Sequence, residues 1–123
     1  MPETSMVLCF SRDLCLLETR AAVLATKYEV IPINTMEELR NVPVGTIIDL
    51  VLLCHTLNEG ECHSALQLIH QRWPAARILG MRTLGKGCSI ENTDTAVSAT
   101  DGPASLLRSI DGVLRSSTKS LSL

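Results

Sequence analysis

Thr46-Ile47-Ile48-Asp49-Leu50-Val51-Leu52-Leu53-Cys54 is an aliphatic run of strand length with β-branched residues near its start. It shows no alternation of polar and apolar residues, so a strand built from it must be covered on both faces. His55-Thr56-Leu57-Asn58 follows at once and leads toward a helical pattern. In an α/β sheet, this end of a strand usually carries the functional site. The run therefore predicts a central parallel strand whose site-bearing end is Cys54.

Composition places the chain among ordinary globular proteins and excludes some partners. Its 123 residues suit a single domain with its own core. Aromatic residues make up only 2%, so the stacking platforms that bind single-stranded nucleic acid are missing. The formal net charge of -2 gives no general attraction to nucleic acid or to an anionic membrane. We expect neither as a partner.

The N-terminus and the cysteines both bear on the compartment. Met1 to Ser5 lacks the basic region of a secretory signal, and no later run has transmembrane length. The cysteines are odd in number, and at least two of them fall inside predicted strands. They indicate reduced, packed thiols rather than a disulfide framework. A cytoplasmic protein is therefore expected. The cysteines are Cys9, Cys15, Cys54, Cys62 and Cys88.

Strand and helix patterns alternate along the rest of the chain. The other predicted strands cover residues 6–10, 28–33, 76–81 and, more weakly, 95–99. The predicted helices cover residues 14–26, 36–40 and, from Glu59 or Glu61, up to Arg72, and the last begins at Asp101-Gly102-Pro103. In the first helix, Glu18 and Arg20 are placed on the outer face.

This alternation predicts an α/β fold with a doubly wound parallel sheet of five strands. Pro32 cannot donate to a strand ladder, which places the second strand at a sheet edge. With right-handed crossovers, the strand order is then 2-1-3-4-5. Residues 1–115 form one domain, and residues 116–123 are predicted to be a flexible C-terminal tail.

The chain at this point resembles a response-regulator receiver domain. The resemblance rests on Val7-Leu8-Cys9-Phe10-Ser11-Arg12-Asp13, on Asp49-Leu50-Val51-Leu52-Leu53-Cys54, and on Asp101-Gly102-Pro103 with Leu106-Leu107. It covers about residues 6 to 115. It implies the flavodoxin-like receiver fold and a part in two-component signal transduction or a phosphorelay.

The residues that carry receiver chemistry are replaced in this chain. Receivers use two acids after the first strand to hold magnesium, and an aspartate after the third strand to accept a phosphoryl group. A Ser or Thr after the fourth strand and a Lys after the fifth then contact the phosphoryl oxygens. Here Ser11 and Arg12 take the place of the acid pair, and a register slip would bring in Asp13 alone. Cys54 takes the place of the aspartate.

The last two positions of the family pattern are also altered. Arg82 and Thr83 lie near the fourth-strand position, so a hydroxyl is reached only with a slip. Ala99 or Thr100 replaces the lysine. We therefore expect a degenerate, or pseudo-, receiver that is not an enzyme, holds no metal or cofactor and is not phosphorylated on aspartate. We call this set the vestigial phosphoacceptor pocket: Ser11, Arg12, Asp13, Cys54, Arg82, Thr83, Ala99 and Thr100.

The segment between the fourth and fifth strands departs from the family as well. Arg82 to Asp94 contains Gly85 and Gly87 and has no apolar stripe, so the fourth helix of a receiver is expected to be shortened, irregular or missing. Receivers often dimerise through that region, which puts such a dimer in doubt and leaves a homodimer open.

Two other motifs are weaker than they first look. Gly80 to Gly87 nearly spells a phosphate-binding loop, but Gly87 replaces the required hydroxyl and a poor helix follows, which favours a simple loop. Cys54-His55, Cys62-His63 and His70 could suggest zinc, but no Cys-x-x-Cys pair is present. A solvated or half-buried helix face explains Cys62, His63 and His70 better.

Two functions follow from these patterns. The first is a stand-alone pseudo-receiver that binds other signalling proteins, such as a histidine kinase or a response regulator. The second is a small thiol-dependent or phosphate-handling α/β enzyme that uses Cys54, with His55 or Arg12 lowering its pKa. A small buried filler is the simpler interpretation of Cys54. Arg12 and Arg82 could make the pocket cationic, or they could be ordinary surface arginines.

Overall fold

The computed structural model describes residues 5–43, 45–54, 56–82, 95–98 and 102–121; for residues 82, 95–98 and 116–121 it describes the backbone alone. The strands are β1 (Met6–Phe10), β2 (Glu29–Ile33), β3 (Leu50–Leu53), β4 (Arg77–Arg82) and β5 (Thr95–Ser98). The helices are α1 (Leu14–Leu24), α2 (Met36–Arg40), α3 (Glu59–Arg72) and α4 (Pro103–Leu121). No helix of this described part is long and apolar enough to cross a membrane.

The strands form one sheet in the order β2-β1-β3-β4-β5, and each neighbouring pair is parallel. The predicted fold class and strand order are confirmed. β2 lies at the edge of the sheet. Pro32 has no N–H to donate, and at the edge no further strand needs that donor. All four residues of β3 are fully buried, as a central strand covered on both faces requires.

Alternating side chains of the strands build two apolar layers. Leu8, Phe10, Val51 and Leu53 point to the layer that contains α2 and α3 side chains. Val7, Cys9, Leu50 and Leu52 point to the opposite layer, which packs against α1 and α4. The period of two along each strand produces this division.

The central strand is shorter than predicted: it begins at Leu50, and of the described residues just before it, only Asp49 bonds to the neighbouring strands. Ile47 is 76% exposed. The Asp49 carboxylate accepts a hydrogen bond from the Met6 backbone N–H at 2.8 Å, and the Asp49 N–H donates to the Met6 carbonyl at 3.0 Å. Asp49 therefore fixes the start of β1 against the start of β3.

The inner face of α1 differs from the prediction. Leu17, Arg20 and Leu24 are its buried residues, whereas Leu14 is 59% exposed. The placement of Arg20 on the outer face is wrong: only 8% of this residue is exposed. The three residues recur at helical spacing, so Arg20 lies between two leucines that face the sheet.

The fourth helix predicted from the sequence lies outside the described residues, and the predicted C-terminal tail lies partly outside them. The segment expected to hold a shortened fourth helix, residues 83–94, is outside them. Gly102 has a φ of 88°, a left-handed conformation that favours glycine, and α4 starts directly after it. α4 continues to Leu121, so helix reaches into the segment predicted as a tail.

Candidate functional site

The candidate site lies at the carboxyl ends of β1 and β3. Ser11 follows β1, and its N–H donates to the carbonyl of Ile33 at 3.1 Å. Cys54 follows β3, and its N–H donates to the carbonyl of Phe10 at 3.0 Å. The ladders thus continue one residue beyond the strands. They bring Ser11 and Cys54 to the same edge of the sheet, as the sequence predicts.

Ser11 is fully buried and its hydroxyl is engaged by neighbouring loops. The hydroxyl oxygens of Ser11 and Thr56 lie 3.1 Å apart, and the Arg12 N–H donates to Thr56 Oγ1 at 3.0 Å. The Asn34 amide donates to the Ser11 carbonyl at 2.8 Å. Three loops, which follow β1, β2 and β3, are therefore joined where a receiver would open its pocket.

The Arg12 side chain lies at the same end of the sheet, beyond β1 and β3. Its Nη1 donates to the Asn34 carbonyl at 3.0 Å, and its Nε lies 3.1 Å from Glu61 Oε2. Glu61 also caps α3, because its other oxygen accepts from the Asn58 N–H at 3.1 Å. A guanidinium therefore stands where the resemblance would place a magnesium ligand, and the nearby carboxylate of Glu61 is already paired.

Asp13 has a structural role at the start of α1. Its Oδ1 accepts from the Leu16 N–H at 3.1 Å, which makes it the N-cap of α1. This contact uses one of the two carboxylate oxygens, and the place of Asp13 in the vestigial phosphoacceptor pocket remains a prediction. As a cap, its oxygen satisfies a backbone donor of the first helical turn.

Cys54 is fully buried, and the side chains of Cys9, Arg20 and Ser11 act on its thiol. The hydrogen bond from Cys9 and the charge and hydrogen bond of Arg20 lower the pKa of the Cys54 thiol to about 7, although burial opposes the shift. The bond to Cys54 and burial raise the pKa of Cys9 well above its ordinary value. Cys54 is therefore the thiol of the pair that loses its proton first.

Of the two groups that the sequence suggested would act on Cys54, Arg12 is turned toward Glu61 and Asn34. The other, His55, lies outside the described residues, so its role remains a prediction. Arg20 and Cys9 do act on the Cys54 thiol, and neither was assigned a role from the sequence. Two signals point to them: Arg20 shares helical spacing with Leu17 and Leu24, and Cys9 lies on a strand next to the central one.

The structure does not describe the side chains of the remaining predicted site residues. Arg82 is the last residue of β4, and its side chain is outside the description. Thr83, Ala99 and Thr100 lie outside the described residues, as does most of the loop from Gly80 to Gly87. Their place in the vestigial phosphoacceptor pocket remains a prediction.

The cysteines and histidines of α3 behave differently from one another. His63 and His70 are exposed, whereas Cys62 is buried and disulfide-bonded. Cys9, Cys15 and Cys54 are free thiols, but Cys15 is exposed. The prediction of reduced, packed thiols is therefore wrong for Cys62, and Cys15 is not packed. Disulfide pairing depends on the distance between Cβ atoms, which the spacing of cysteines in a sequence does not give.

Several solved structures with a similar fold are receiver domains. A CheY-like response regulator receiver domain from Methanospirillum hungatei JF-1 matches with a TM-score of 0.79 and 20% identity, over 96% of this chain and 99% of that chain. The signal receiver domain of an HD domain-containing protein from Pseudomonas fluorescens Pf-5 matches with a TM-score of 0.77 and 13% identity, over 95% and 99% of the two chains.

A structure described as adenylate cyclase from Rhodopirellula baltica also matches, with a TM-score of 0.77 and 11% identity over 98% of this chain and 94% of that chain. No protein-family model and no curated protein sequence matches this chain. The chain therefore has the flavodoxin-like fold of receiver domains, and the resemblance stated from the sequence is confirmed at the level of the fold.

Proposed function

We propose that this chain is a pseudo-receiver: a protein-interaction module of two-component or phosphorelay signalling that is not phosphorylated on aspartate. The carrying observation is the position of Arg12. Its side chain bonds to the Asn34 carbonyl and to Glu61 at the edge where receivers hold magnesium. A fixed cation there disfavours a divalent metal ion, which needs carboxylate oxygens instead.

The phosphoacceptor position supports the same proposal. An acyl phosphate requires a carboxylate that a phosphodonor can reach. Cys54 supplies a thiol, and no part of this residue is exposed. Ser11 is also fully buried, and its hydroxyl is bonded to Thr56. Neither side chain is placed to receive a phosphoryl group from a small donor.

A binding role follows from what the fold keeps. A receiver without its switch still presents the surfaces of the α/β domain to other proteins, such as a histidine kinase or a response regulator. The hydrogen bonds among Ser11, Thr56, Arg12 and Asn34 hold the loops of one edge together. Such an edge offers a partner a single, preformed shape, which lowers the ordering cost of binding.

A cytoplasmic location is part of this proposal. Free thiols at Cys9, Cys15 and Cys54 suit a reducing compartment, whereas a disulfide such as that of Cys62 is rare there. Acid quenching of native cells, followed by alkylation of the denatured chain with and without a reductant, decides between the two. We expect Cys62 to be labelled without the reductant. If Cys62 stays unlabelled until a reductant is added, the chain resides in an oxidising compartment.

The second candidate function, a thiol-dependent enzyme, has one observation in its favour. The lowered pKa of Cys54 resembles that of reactive cysteines. The complete burial of Cys54 opposes it, because a nucleophile has to meet its substrate. We therefore place this function second. A thiol-dependent enzyme would require a conformation in which Cys54, at the carboxyl end of β3, becomes exposed.

The proposed function is tested with a small phosphodonor and magnesium. The intact mass of the chain should stay unchanged under conditions that fully label an active receiver included as a control. A stable phosphoryl adduct on an aspartate would overturn the proposal. Affinity capture from the native cell then tests the interaction role: two-component proteins should be enriched over those captured by the active receiver, and their absence would contradict that role.

A further inference from the structure

Three sulfur-containing side chains belong to the apolar layer between the sheet and helices α1 and α4. They are Cys9 on β1, Cys54 directly after β3, and Met81 on β4. Cys9 and Cys54 are fully buried, and Met81 is 3% exposed. These three strands are neighbours in the sheet, so the sulfurs belong to one contiguous part of this layer.

The strand registers bring the three residues together. Leu53 pairs with Gly80, so one further step along both strands sets Cys54 opposite Met81. On the other side, Cys9 pairs with Leu52, two residues before Cys54 and on the same face. Cys54 is therefore the central member of the group, with Cys9 on one neighbouring strand and Met81 on the other.

We propose that Cys9, Cys54 and Met81 form a buried binding site for one monovalent soft metal ion of the Cu(I) class. Thiolate and thioether sulfurs are the ligands that such ions select. Hard cations are disfavoured, since they prefer oxygen ligands and these three side chains offer only sulfur. This inference goes beyond the pseudo-receiver role and does not depend on it.

The charge around the thiols favours a monovalent ion. Binding replaces both thiol protons, so that two R–SH and M⁺ give M(SR)₂⁻ and two H⁺, with Met81 as a neutral third ligand. The complex carries one negative charge beside the guanidinium of Arg20, which is hydrogen-bonded to Cys54 and only 8% exposed. A divalent ion would instead form a neutral complex and gain nothing from this cation.

A cavity supplies the space for an approaching ion. It has a volume of about 130 Å³ and is lined by Arg20 and Met81 together with residues at the start of α4. A water molecule occupies roughly 30 Å³ of liquid, so the cavity has room for an ion with part of its hydration shell. The cavity therefore brings space for an ion up to Met81 and Arg20, whereas the two thiols lie behind this lining.

The same register disfavours a disulfide between the two thiols. Neighbouring strands lie about 4.8 Å apart and two residues advance about 6.6 Å along a strand, which puts the Cα atoms of Cys9 and Cys54 roughly 8 Å apart. Disulfides rarely span more than about 7 Å between Cα atoms. An ion with metal–sulfur bonds of about 2.3 Å bridges a wider gap, so it fits without backbone movement.

The test is an anaerobic titration of the full chain with Cu(I) against a chromophoric Cu(I) chelator, without reductant, so that the Cys62 disulfide stays intact. One equivalent should bind. Cys9→Ser and Cys54→Ser should each lower the affinity at least about a hundredfold, and Met81→Leu about tenfold. Cys15→Ser is the matched control, because Cys15 is exposed and outside the group. Its affinity should equal that of the unchanged chain.

Binding that survives in both core variants, or that is lost in Cys15→Ser, would overturn the proposal. Excess Zn(II) should leave the bound Cu(I) in place, and displacement by zinc would also contradict it. Since a serine in the core could unfold the chain, X-ray absorption of the Cu(I)-loaded unchanged chain gives an independent readout. Three sulfur ligands support the site, whereas nitrogen or oxygen ligands exclude it.

Discussion

Arg12 and Glu61 are joined by a contact of 3.1 Å between Nε and Oε2, across the edge of the sheet at which β1 and β3 end. The pair connects the loop after β1 to the first turn of α3. Because Arg12 also bonds to the Asn34 carbonyl, one side chain links three segments that are distant in sequence. The pair therefore places a cation at the carboxyl ends of β1 and β3, beside a carboxylate that also caps α3.

Arg12→Ala should lower the free energy of unfolding by about 1 kcal/mol, since it removes a charge-assisted hydrogen bond and a partly exposed ion pair. Arg115→Ala is the matched control: its ion pair with Asp111 is an exposed pair one helical turn apart, worth about 0.3 kcal/mol. Urea denaturation of the three proteins measures both changes. Equal losses for the two variants would mean that Arg12 is an ordinary surface residue.

Cys54→Asp should not restore phosphorylation. The new carboxylate would lie beside Arg20 and Cys9. The two positions where receivers carry metal-binding acids would still hold Ser11 and Arg12. The intact mass after treatment with a small phosphodonor and magnesium is expected to stay unchanged. The variant with Ser11→Asp and Arg12→Asp added is the informative comparison, because it restores the acid pair. Rapid labelling of Cys54→Asp alone would mean that the acid pair lies elsewhere in the chain.

The fold could be predicted because its causes are local. Uninterrupted apolar runs define buried strands, and Pro32 assigns β2 to the edge, which leaves few possible strand orders. The start of β3 was misjudged for a physical reason: Asp49 uses its side chain to hold Met6, and Ile47 before it is exposed. Residue types alone do not distinguish such a strand from its flanking turn.

The site could be predicted only in part, because its contacts join segments far apart in the chain. The places of Ser11 and Cys54 followed from strand ends, but Thr56 and Asn34 enter only through the packing of separate loops. Arg20 was assigned to the outside because charged residues are rarely buried. Its burial follows from the packing of α1 on the sheet, which sets Arg20 where its charge lowers the pKa of the Cys54 thiol.

Thiol alkylation of the native chain should distinguish Cys15 from Cys54. Cys15 is exposed and should react at once, whereas Cys54 is fully buried and should react only when the chain opens. The lowered pKa of Cys54 does not overcome this, since the thiolate must still meet the reagent. Peptide mass spectrometry over a time course separates the two sites. If Cys54 is alkylated as fast as Cys15 in the folded chain, the thiol-dependent enzyme becomes the better proposal.

The stability of the chain should increase as the pH rises from 7 to 9. The folded-state pKa of Cys54 is lowered to about 7 from an ordinary value of 9.0, so folding favours its thiolate. This contribution is absent below pH 7, develops through the interval and is complete above pH 9. Cys9 acts in the opposite sense, because its raised pKa stabilises the fold below pH 9 and this contribution is lost as the pH rises further.

Urea denaturation at a series of pH values, compared with Cys54→Ala, isolates this contribution. The variant removes the shifted thiol but keeps the titrating groups that lie elsewhere, so the difference between the two curves belongs to Cys54 and its coupling to Cys9 and Arg20. We expect that difference to grow between pH 7 and 9 and then to level off. A constant difference over this range would mean that Cys54 stays protonated, and that Arg20 is held by contacts other than a thiolate.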